Sequence, residues 1–424
     1  LLVGSIRAKY PDLPIHVHSH DTAGIAVASM LACAEAGADV IDAAIDSMSG
    51  LTSQPSMGAI VSSLEQMELG TGISHDNIQR LNLYWSEVRQ LYQCFEQNVK
   101  ASDSSVFDHE MPGGQYTNLM FQSQQLGLGS QWSEIKHAYM EANMLCGDIV
   151  KVTPSSKVVG DLAQFMVANK LSARDVEERA STLDFPVSVV EFFQGFLGTP
   201  PGGFPEPLRT HIIRNKERVD TRRGASLPPL DFEKIKSDLT VKYRRPMSEC
   251  DAVSWAMYPK VFEEFQAFIE EFGDLSRMPT RFFLGKPKAG EEMHIPIEDG
   301  KLLIVKLLGL GPFHEATGMR DVLFELNSSP RSISVKDLGA NVEEVHHEKA
   351  TSEPGSVGSP LAGVVVELKV KEGDAVKPGD AMFVMSAMKM ETIVSAQIAG
   401  KVTRVAVKQN DSLSQNDLLC EITP

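Results

Sequence analysis

Three histidines near the start of the chain, His16, His18 and His20, occupy alternate positions. In a strand, side chains at alternate positions point to the same face, so an extended run here would bring the three imidazoles together. Two imidazoles at positions i and i+2 can share one divalent cation. His18 and His20 are therefore candidate metal ligands. The competing interpretation is that some of these histidines are polar core residues that hydrogen-bond to backbone.

Thr153 is the second candidate, in the segment Lys151-Val-Thr-Pro-Ser-Ser-Lys157 that precedes a helical pattern. Threonine is a frequent N-cap and proline is favoured at the first helical position, so the local pattern predicts that Thr153 caps a helix opened by Pro154. A hydroxyl also donates and accepts hydrogen bonds, which suits a proton relay. The two roles are compatible, because a cap would hold the hydroxyl in place.

Lys389 is the third candidate and stands between Met388 and Met390. The strand-like runs 382–385 and 393–395 flank it, which predicts a hairpin with the lysine at its exposed turn. Two methionines are poorly placed on a solvent-facing turn unless something docks on them. The alternative is a solvated lysine without a role, which is the usual state of a surface lysine.

The segment around Lys389 lies between two halves of an internal repeat. Matched positions of the two halves are 37 residues apart, and Gly363, for example, matches Gly400. Further matched pairs are Val370 with Val407, Lys371 with Lys408, Asp374 with Asp411, Asp380 with Asp417, Gly373 with Asn410 and Gly379 with Asn416. Glycine and asparagine both tolerate positive φ, so the last two pairs predict equivalent tight turns. The repeat therefore predicts a small pseudo-symmetric β-domain.

Other elements must position the histidines and Thr153. Residues 15–20 and 39–45 are predicted as strands and residues 22–36 as the helix between them, which is a β-α-β unit of a parallel sheet. His18 and His20 would then lie at the C-terminal end of a parallel strand, where parallel barrels place their active sites. Two strands cannot close such a barrel.

The rest of the chain divides by composition. Helices are predicted at 82–99, 133–145 and 157–169, and the four prolines between 198 and 207 predict a fixed irregular loop. A mixed module follows, with a helix at 258–272 and strands at 301–308, 322–326 and 332–335. Residues 339–360 are charged and small, which is typical of a flexible linker.

Net charge and cysteine content exclude some classes of function. The formal net charge of −16 leaves no basic stripe for nucleic acid or an anionic membrane surface. The five cysteines show neither zinc-site spacing nor the density of a disulfide scaffold. No apolar run reaches membrane-spanning length. The chain starts at Leu1, in the middle of a pattern, and we expect this start to be a cut.

The tetrapeptide Ala387-Met388-Lys389-Met390 between symmetric halves resembles the attachment motif of the biotinyl domain of biotin-dependent carboxylases. The resemblance implies that a biotin protein ligase attaches biotin covalently to Lys389, with Met388 and Met390 beside it. A lipoyl domain has the same shape, but it usually carries Asp-Lys-Ala at the tip, which is absent here.

Residues 14–24, 34–40, 46–56, 111–119 and 160–166 resemble the carboxyltransferase domain of the pyruvate carboxylase family. The resemblance implies that His18 and His20 bind a divalent metal (Mn, Zn or Mg). His16 would lie next to these ligands without binding the metal itself. It also implies that Thr153 relays a proton between biotin and the enol. In the family, an aspartate, a carboxylated lysine and a pyruvate-binding arginine come from earlier strands. The chain as given is therefore expected to lack a complete metal site.

The fold class implied is multidomain α/β and β. The expected parts are the C-terminal part of a TIM (β/α)8 barrel at 1–76, a helical extension at 77–226, a mixed α+β allosteric and tetramerisation-like module at 227–338, a flexible linker at 339–355 and a flattened β-barrel or sandwich biotinyl domain at 356–424. The resemblance is weaker over about 240–340.

The resemblance implies carboxyl transfer from carboxybiotin on Lys389 to pyruvate, which gives oxaloacetate. In the family, this reaction belongs to an ATP- and bicarbonate-dependent ligase of gluconeogenesis and anaplerosis. The ATP and Mg site of that ligase is expected to lie in a part missing from this chain. The chain alone should therefore be inactive. The family implies a homotetramer, acetyl-CoA as effector, and a mitochondrial matrix location in a eukaryote or a cytoplasmic one otherwise.

Two rival functions stay open. A biotin-dependent oxaloacetate decarboxylase alpha-type subunit joins the same two functional domains, but the mixed module at 227–338 favours the carboxylase. A non-catalytic biotin carrier fragment would use the incomplete barrel only as a dock, and carboxylation of pyruvate by the isolated chain would refute that interpretation.

Overall fold

The computed structural model describes residues 1–65, 67–97, 99–285, 287–314, 318–337, 347–351, 353, 355–387 and 390–424. The chain forms two compact units. The first unit comprises residues 1–90, 95–225 and 346–424, and the second comprises residues 91–94 and 226–345. Among the described residues, no helix combines the length and the apolar composition that a bilayer crossing requires.

The first unit begins with a short β-α-β arrangement. Its elements are α1 (Leu2–Lys9), β1 (His16–Val17), α2 (Ala26–Glu35), β2 (Val40–Ile41) and α3 (Met57–Leu64). β1 and β2 pair in parallel, with His16 opposite Val40. Met30 of α2 and Ile60 of α3 are buried together, and Val17 and Ile41 pack against them. The predicted β-α-β unit is confirmed, although only two residues of each strand pair. Two strands do not make a barrel, so the barrel stays a prediction.

Eight helices follow along the chain, and the last six of them share one core. They are α4 (His75–Leu91), α5 (Val106–His109), α6 (Gly113–Gln125), α7 (Trp132–Leu145), α8 (Ser155–Ala168), α9 (Ala173–Arg179), α10 (Val187–Gln194) and α11 (Leu208–Ile213). Leu119, Tyr139, Leu162 and Phe193 are fully buried in the core between them. The loop at 198–207 contains no helix or strand, as its prolines predicted.

The predicted helices at 133–145 and 157–169 are confirmed within two residues by α7 and α8. The prediction of a helix at 82–99 is wrong at both ends, because α4 begins at His75 and ends at Leu91. The apolar period continues past Leu91, but residues Gln93–Phe95 form a short 3-10 turn. Leu81, Leu83 and Tyr84 inside α4 are themselves exposed, so the apolar period here does not mark a buried face and does not locate the ends of the helix.

The second unit is a mixed α+β unit. Its helices are α12 (Phe232–Tyr243), α13 (Glu249–Met257), α14 (Pro259–Phe272) and α15 (Arg281–Leu284), and Leu239, Met247 and Phe262 form its small helical core. An antiparallel sheet of order β3-β4-β5-β6 follows, made of Glu292–Glu298, Lys301–His314, Met319–Leu326 and Ser329–Lys336. The predicted helix at 258–272 and all three predicted strands are confirmed. The sequence did not predict β3, whose alternation is interrupted by Pro296.

The C-terminal residues of the first unit form two four-stranded sheets. Their strands are β7 (Ser356–Gly358), β8 (Gly363–Leu368), β9 (Ala375–Val376), β10 (Ala381–Ala387), β11 (Met390–Ser395), β12 (Gly400–Val405), β13 (Ser412–Leu413) and β14 (Leu418–Thr423). One sheet has the order β11-β10-β8-β13 and the other β7-β14-β12-β9. The offset of 37 superposes β8, β9 and the start of β10 on β12, β13 and the start of β14. The internal repeat therefore predicts the strand positions correctly.

The turns of the two halves are equivalent as well. Gly373 and Asn410 have φ of 96° and 72°, and Gly379 and Asn416 have φ of 92° and 65°. The carboxylate of Asp374 accepts from the Lys371 amide at 2.8 Å, and Asp411 and Lys408 repeat this contact at 2.7 Å. These contacts confirm the prediction of paired turns, and they explain why the aspartates recur in both halves.

The segment before β7 is not free where it is described. The Leu418 amide donates to the Glu348 carbonyl at 2.6 Å and the Ala350 amide donates to the Asn416 carbonyl at 2.9 Å. The Lys349 ammonium lies 2.8 Å from the Asp417 carboxylate. The expectation of a flexible linker over 339–355 therefore fails for residues 348–350, which hydrogen-bond to the edge of the sheet. Residues 339–346 of the predicted linker lie outside the described residues.

Candidate functional site

Only His16 lies in β1, and His18 and His20 follow the strand, so the prediction of one strand that carries all three imidazoles is wrong. An aspartate directly after β2 binds two of the rings. Asp42 Oδ1 lies 2.7 Å from His16 Nε2, and Asp42 Oδ2 lies 2.7 Å from His18 Nδ1. Hydrogen bonds from the His16 and His18 imidazoles hold the pKa of Asp42 below its ordinary value. His20 Nδ1 lies 2.6 Å from the Thr52 carbonyl oxygen. All three rings are therefore fixed through one nitrogen.

The hydrogen bonds leave equivalent atoms of His18 and His20 for a ligand. The carbonyl of Thr52 can only accept, so His20 carries its proton on Nδ1 and presents the lone pair of Nε2. A carboxylate at Nδ1 of His18 favours the same tautomer. The ring centroids of His18 and His20 are 5.2 Å apart. A ring nitrogen bound to a carboxylate or carbonyl is the usual arrangement behind a metal-binding histidine, so this donor set fits a divalent metal.

Two imidazoles are an incomplete ligand set. Across the described residues, His, Cys, Asp and Glu side chains do not form any group of three or more arranged to hold a metal ion. Structural and catalytic zinc sites use three or four protein ligands, so His18 and His20 can supply part of such a site. Asp42 uses both carboxylate oxygens on His16 and His18 and therefore positions the rings.

Asp42 was not among the residues singled out in the sequence. It directly follows β2, just as His18 directly follows β1. Since the carboxyl ends of parallel strands meet at one edge of a sheet, the rule that identified His18 also applies to the acidic residue after the next strand. That signal was present in the sequence.

The loop between β2 and α3 is fixed by Asp46. Its Oδ1 accepts from the Ser56 hydroxyl and from the Gly58 amide, both at 2.7 Å. The same loop contains Thr52, whose carbonyl binds His20. Asp46 thus holds both ends of the segment 46–58 that supports the second candidate ligand.

The N-terminus of α6 packs directly on His20. A Cβ atom added to Gly113 would lie 2.5 Å from His20 Nδ1 and 2.7 Å from the Thr52 carbonyl oxygen. A side chain at position 113 would therefore displace the hydrogen bond that orients His20. The glycine of the Met-Pro-Gly-Gly motif allows the helical part to approach the histidines closely.

Thr153 lies before α8, but it does not cap the helix. α8 begins at Ser155 with Pro154 at the N-cap position, and no side chain caps this helix. The Ser155 hydroxyl lies 2.6 Å from the carbonyl oxygens of Val150 and Val152 and 3.2 Å from the Val152 amide. The predicted cap is wrong because Ser155 closes the preceding turn and leaves Thr153 exposed.

The segment at 110–113 connects the surroundings of His20 with those of Thr153. Gly113 lies against His20, and the Glu110 carboxylate lies 2.6 Å from the ammonium of Lys151, two residues before Thr153. Lys151 lowers the pKa of Glu110 through this hydrogen bond. The Met-Pro-Gly-Gly segment therefore contacts the neighbourhoods of both candidate sites.

Met388 and Lys389 lie outside the described residues, as does the side chain of Met390. β10 and β11 pair antiparallel up to Ala387 opposite Met390, so the chain connects the two strands through residues 388 and 389. The strands of the predicted hairpin are confirmed by this register. The role of Lys389 and of its two methionine neighbours stays a prediction.

Two protein-family models match the chain. Residues 106–306 match the model described as a conserved carboxylase domain, and residues 355–422 match the model of a biotin-requiring enzyme. The second match supports covalently bound biotin in the C-terminal β-domain.

Pyruvate carboxylases of other organisms are similar over the whole chain. That of Aspergillus terreus is 54% identical over 424 residues, which is 100% of this chain and 36% of the relative. Pyruvate carboxylase 1 of Caenorhabditis elegans is 50% identical over 427 residues, and the mitochondrial pyruvate carboxylase of Mus musculus is 48% identical over 425 residues; each match covers 100% of this chain and 36% of the relative. The chain thus spans about a third of the length of these curated relatives.

Solved structures of pyruvate carboxylase from Rhizobium etli are also similar to this chain. The carboxyl transferase domain of Rhizobium etli pyruvate carboxylase with pyruvate and biocytin is 42% identical with a TM-score of 0.72, and the match covers 80% of this chain and 57% of that chain. A complete multifunctional pyruvate carboxylase from Rhizobium etli is 38% identical with a TM-score of 0.70, and the match covers 99% of this chain and 38% of that chain.

Proposed function

We propose that this chain, which belongs to the pyruvate carboxylase family as its C-terminal part, takes part in carboxyl transfer from protein-bound biotin to pyruvate, which gives oxaloacetate. The observation that carries the proposal is the combination of both family domains in one chain that pyruvate carboxylases match from end to end. The similar carboxyl transferase structure that contains pyruvate and biocytin supports this choice of substrate and carrier.

In this proposal, Lys389 carries the biotin, and Met388 and Met390 flank it. The amide-linked cofactor supplies a ring nitrogen that can hold and release a carboxyl group. The hairpin β10–β11 presents the modified lysine, and the buried cluster around Phe383 and Met385 keeps the strands that bear it rigid.

His18 and His20 would hold a divalent metal through Nε2. Asp42 and the Thr52 carbonyl bind the opposite ring nitrogens and keep the rings in the required tautomer. A metal at such a site acts as a Lewis acid toward the oxygen of a keto acid. Thr153 is exposed, and a hydroxyl can both donate and accept a proton, which supports its assignment as the proton relay.

The finer expectations about architecture belong to the same proposal. Residues 1–76 would complete a TIM barrel together with further strands, and the parallel pair β1–β2 supports this assignment. The two sheets at 356–424 would close as a flattened barrel. A homotetramer, control by acetyl-CoA, an ATP and Mg site elsewhere in the protein, and a mitochondrial location accompany this assignment.

The proposal is tested by locating the biotin. Trypsin does not cleave after a biotinylated lysine, and Lys377 is followed by Pro378, so biotin on Lys389 should leave the peptide 372–401 intact. We expect avidin to capture this peptide from the wild-type chain and the longer peptide 372–404 from the control Lys401→Gln, in which trypsin no longer cleaves after residue 401. Lys389→Arg should abolish capture. Capture of a different peptide would exclude Lys389 as the attachment site.

An avidin blot of denatured extract from the source cells measures the length of the biotinylated polypeptide, and so tests whether it is a pyruvate carboxylase or a decarboxylase subunit. A biotinylated band more than twice the length of this chain is expected for a pyruvate carboxylase. A band only modestly longer than 424 residues would instead indicate an oxaloacetate decarboxylase subunit.

A further inference from the structure

The loop before α8 exposes its apolar side chains and buries a charged one. Val150 and Val152 are 72% and 63% exposed, whereas the side chain of Lys151 between them is only 10% exposed. Lysine is normally the exposed residue and valine the buried one. The order is inverted here, and the Lys151 ammonium lies 2.6 Å from a carboxylate oxygen of Glu110. Thr153 follows two residues later, so this ion pair holds the loop that carries the candidate proton relay.

The ion pair also connects the loop with an earlier part of the chain. Among the described residues, the hydrogen bonds of residues 150–154 otherwise stay within 150–157. The Ser155 hydroxyl, for example, lies 2.6 Å from the carbonyl oxygens of Val150 and Val152. These local bonds shape the turn, but they do not fix it to another element. Lys151 provides that attachment.

Glu110 has a backbone conformation that glutamate rarely adopts. It follows α5 with φ of 51° and ψ of 28°, in the left-handed region, and its amide donates to the Val106 carbonyl at 2.7 Å. Glycine is the usual residue at such a helix end, because a side chain is strained there. Departures from a local rule of this kind concentrate at functional sites. A carboxylate is the group that glycine could not supply at this position.

The segment that contains Glu110 is a fixed point of attachment. His109 and Met111 on its two sides are buried, and the Met111 amide donates to His109 Nδ1 at 3.0 Å. Gly113, three residues after Glu110, packs against His20. The ion pair therefore fixes the loop to a segment that itself contacts the histidine site.

We propose that Glu110 and Lys151 are positioning residues, whose ion pair holds the Thr153 hydroxyl at a fixed place relative to the histidine site. This role rests on the proposed function, in which Thr153 relays a proton. A small displacement of a reacting group lowers the rate strongly, whereas an exposed ion pair contributes little to global stability. Loss of the pair should therefore affect the loop and the reaction much more than the unfolding of the chain.

Limited digestion of the folded chain with trypsin measures whether the pair holds the loop. Trypsin must bind the Lys151 side chain in order to cleave after it, so the pair should protect this bond. Glu110→Gln keeps the size of the side chain and removes its charge, and it should accelerate this cleavage about two- to fivefold. The matched control is Glu178→Gln, since Glu178 is also exposed and lies 2.7 Å from Arg174. It should leave the rate unchanged relative to cleavage after the exposed Lys170.

Steady-state carboxylation of pyruvate, measured in the full-length enzyme, tests the role of the pair in the reaction. Glu110→Gln should lower kcat roughly tenfold and leave KM for pyruvate nearly unchanged, because the relay acts in the transition state. Glu178→Gln should keep the wild-type kcat. Glu110→Gly should lower kcat as Glu110→Gln does, but it should keep or raise the thermal unfolding temperature, because glycine relieves the strained φ. A residue that only supports the fold would lower kcat and the unfolding temperature together.

Each readout can overturn the proposal. Unchanged cleavage after Lys151 in Glu110→Gln would show that the pair does not hold the loop. Faster cleavage with an unchanged kcat would show that the position of the loop does not affect the reaction. A wild-type kcat in Thr153→Ala would instead refute the proton relay of the proposed function, while faster cleavage in Glu110→Gln would still show that the pair holds the loop.

Discussion

Asp42 shows how one carboxylate can organise a site without binding its ligand. Each of its oxygens is used once, on His16 and on His18, and the His18 contact leaves Nε2 of that ring available. The neighbouring Asp39 has different partners, since it accepts hydrogen bonds from the Ile15 amide and the Arg7 guanidinium. The two aspartates therefore have separate tasks at the same edge of the sheet.

We predict that Asp42→Asn changes the tautomer of His18. An asparagine offers one accepting oxygen and one donating nitrogen, so it cannot accept from both imidazoles. Nitrogen NMR should show His18 protonated at Nδ1 in the wild type and a mixture of tautomers in Asp42→Asn, with Asp39→Asn as the matched control. Affinity for Co²⁺ should fall about 10–100-fold in Asp42→Asn. An unchanged His18 tautomer in this variant would show that Asp42 does not position the ring.

Asp103 carries a pH-dependent part of the stability. Its carboxylate accepts from the Ser105 hydroxyl at 2.6 Å, the Lys136 ammonium at 2.9 Å and the Tyr116 hydroxyl at 3.2 Å. Burial opposes ionisation, but the hydrogen bonds from Ser105 and Lys136 outweigh it and hold the pKa of Asp103 well below its ordinary value. The folded pKa is thus lower than the unfolded one, so the stabilisation is complete above about pH 4 and is lost as the pH falls below it.

Asp103→Asn should therefore lower the free energy of unfolding by about 1–3 kcal/mol at pH 7, and by clearly less at pH 3. Urea unfolding followed by the fluorescence of Trp132, which donates to Tyr116 at 3.3 Å, measures the effect locally. The exposed Asp108 supplies the control Asp108→Asn, which should be close to neutral at both pH values. An equal loss at pH 7 and pH 3 would mean that the ionised carboxylate contributes nothing.

At the scale of elements, the first turn of α6 determines how closely the helical part approaches the histidines. Gly113 and Gly114 are consecutive in the same turn, but a Cβ at Gly113 would collide with His20 and Thr52, whereas a Cβ at Gly114 would meet nothing within 4 Å. The two glycines therefore form a matched pair for mutation.

Gly113→Ala should destabilise the first unit by about 1–3 kcal/mol, because the helix or the His20 ring must move. Gly114→Ala should be neutral or stabilising by up to about 1 kcal/mol, because alanine has the higher helix propensity. Thermal unfolding measures both effects, and the His20 imidazole resonances should shift only in Gly113→Ala. Equal effects of both substitutions would contradict the close contact.

The elements that the sequence predicted are those specified by local or repeated patterns. The positions of β8, β9, β12 and β13, and the starts of β10 and β14, follow from the repeat, because the matched turns need positive φ and an aspartate. The cap at Thr153 failed because Ser155 competes for the same turn. The ends of α4 failed because its apolar side chains are mostly exposed, so their period does not report a buried face. Asp42 directly follows β2 as His18 follows β1, so the sequence contained the signal for it, but the rule was applied only to the histidines.

At the scale of the whole molecule, each of the two units has its own core. The first unit contains the cores around Leu162 and around Phe383, and the second contains a small core around Phe262. The first unit is discontinuous, since residues 91–94 and 226–345 belong to the second unit. The residues of the candidate sites and the C-terminal β-domain all belong to the first unit. Their arrangement should therefore not require residues 226–345.

We therefore predict that the first unit folds when residues 226–345 are replaced by a Gly-Ser linker. A linker of about 40 residues has a root-mean-square span of roughly 35 Å and imposes little constraint on the ends that it joins. The shortened chain should lose one thermal transition of the intact chain and retain the other. It should also still be captured by avidin. Aggregation of the shortened chain, or loss of both thermal transitions, would show that the first unit depends on the second for its stability. The two units would then fold as one.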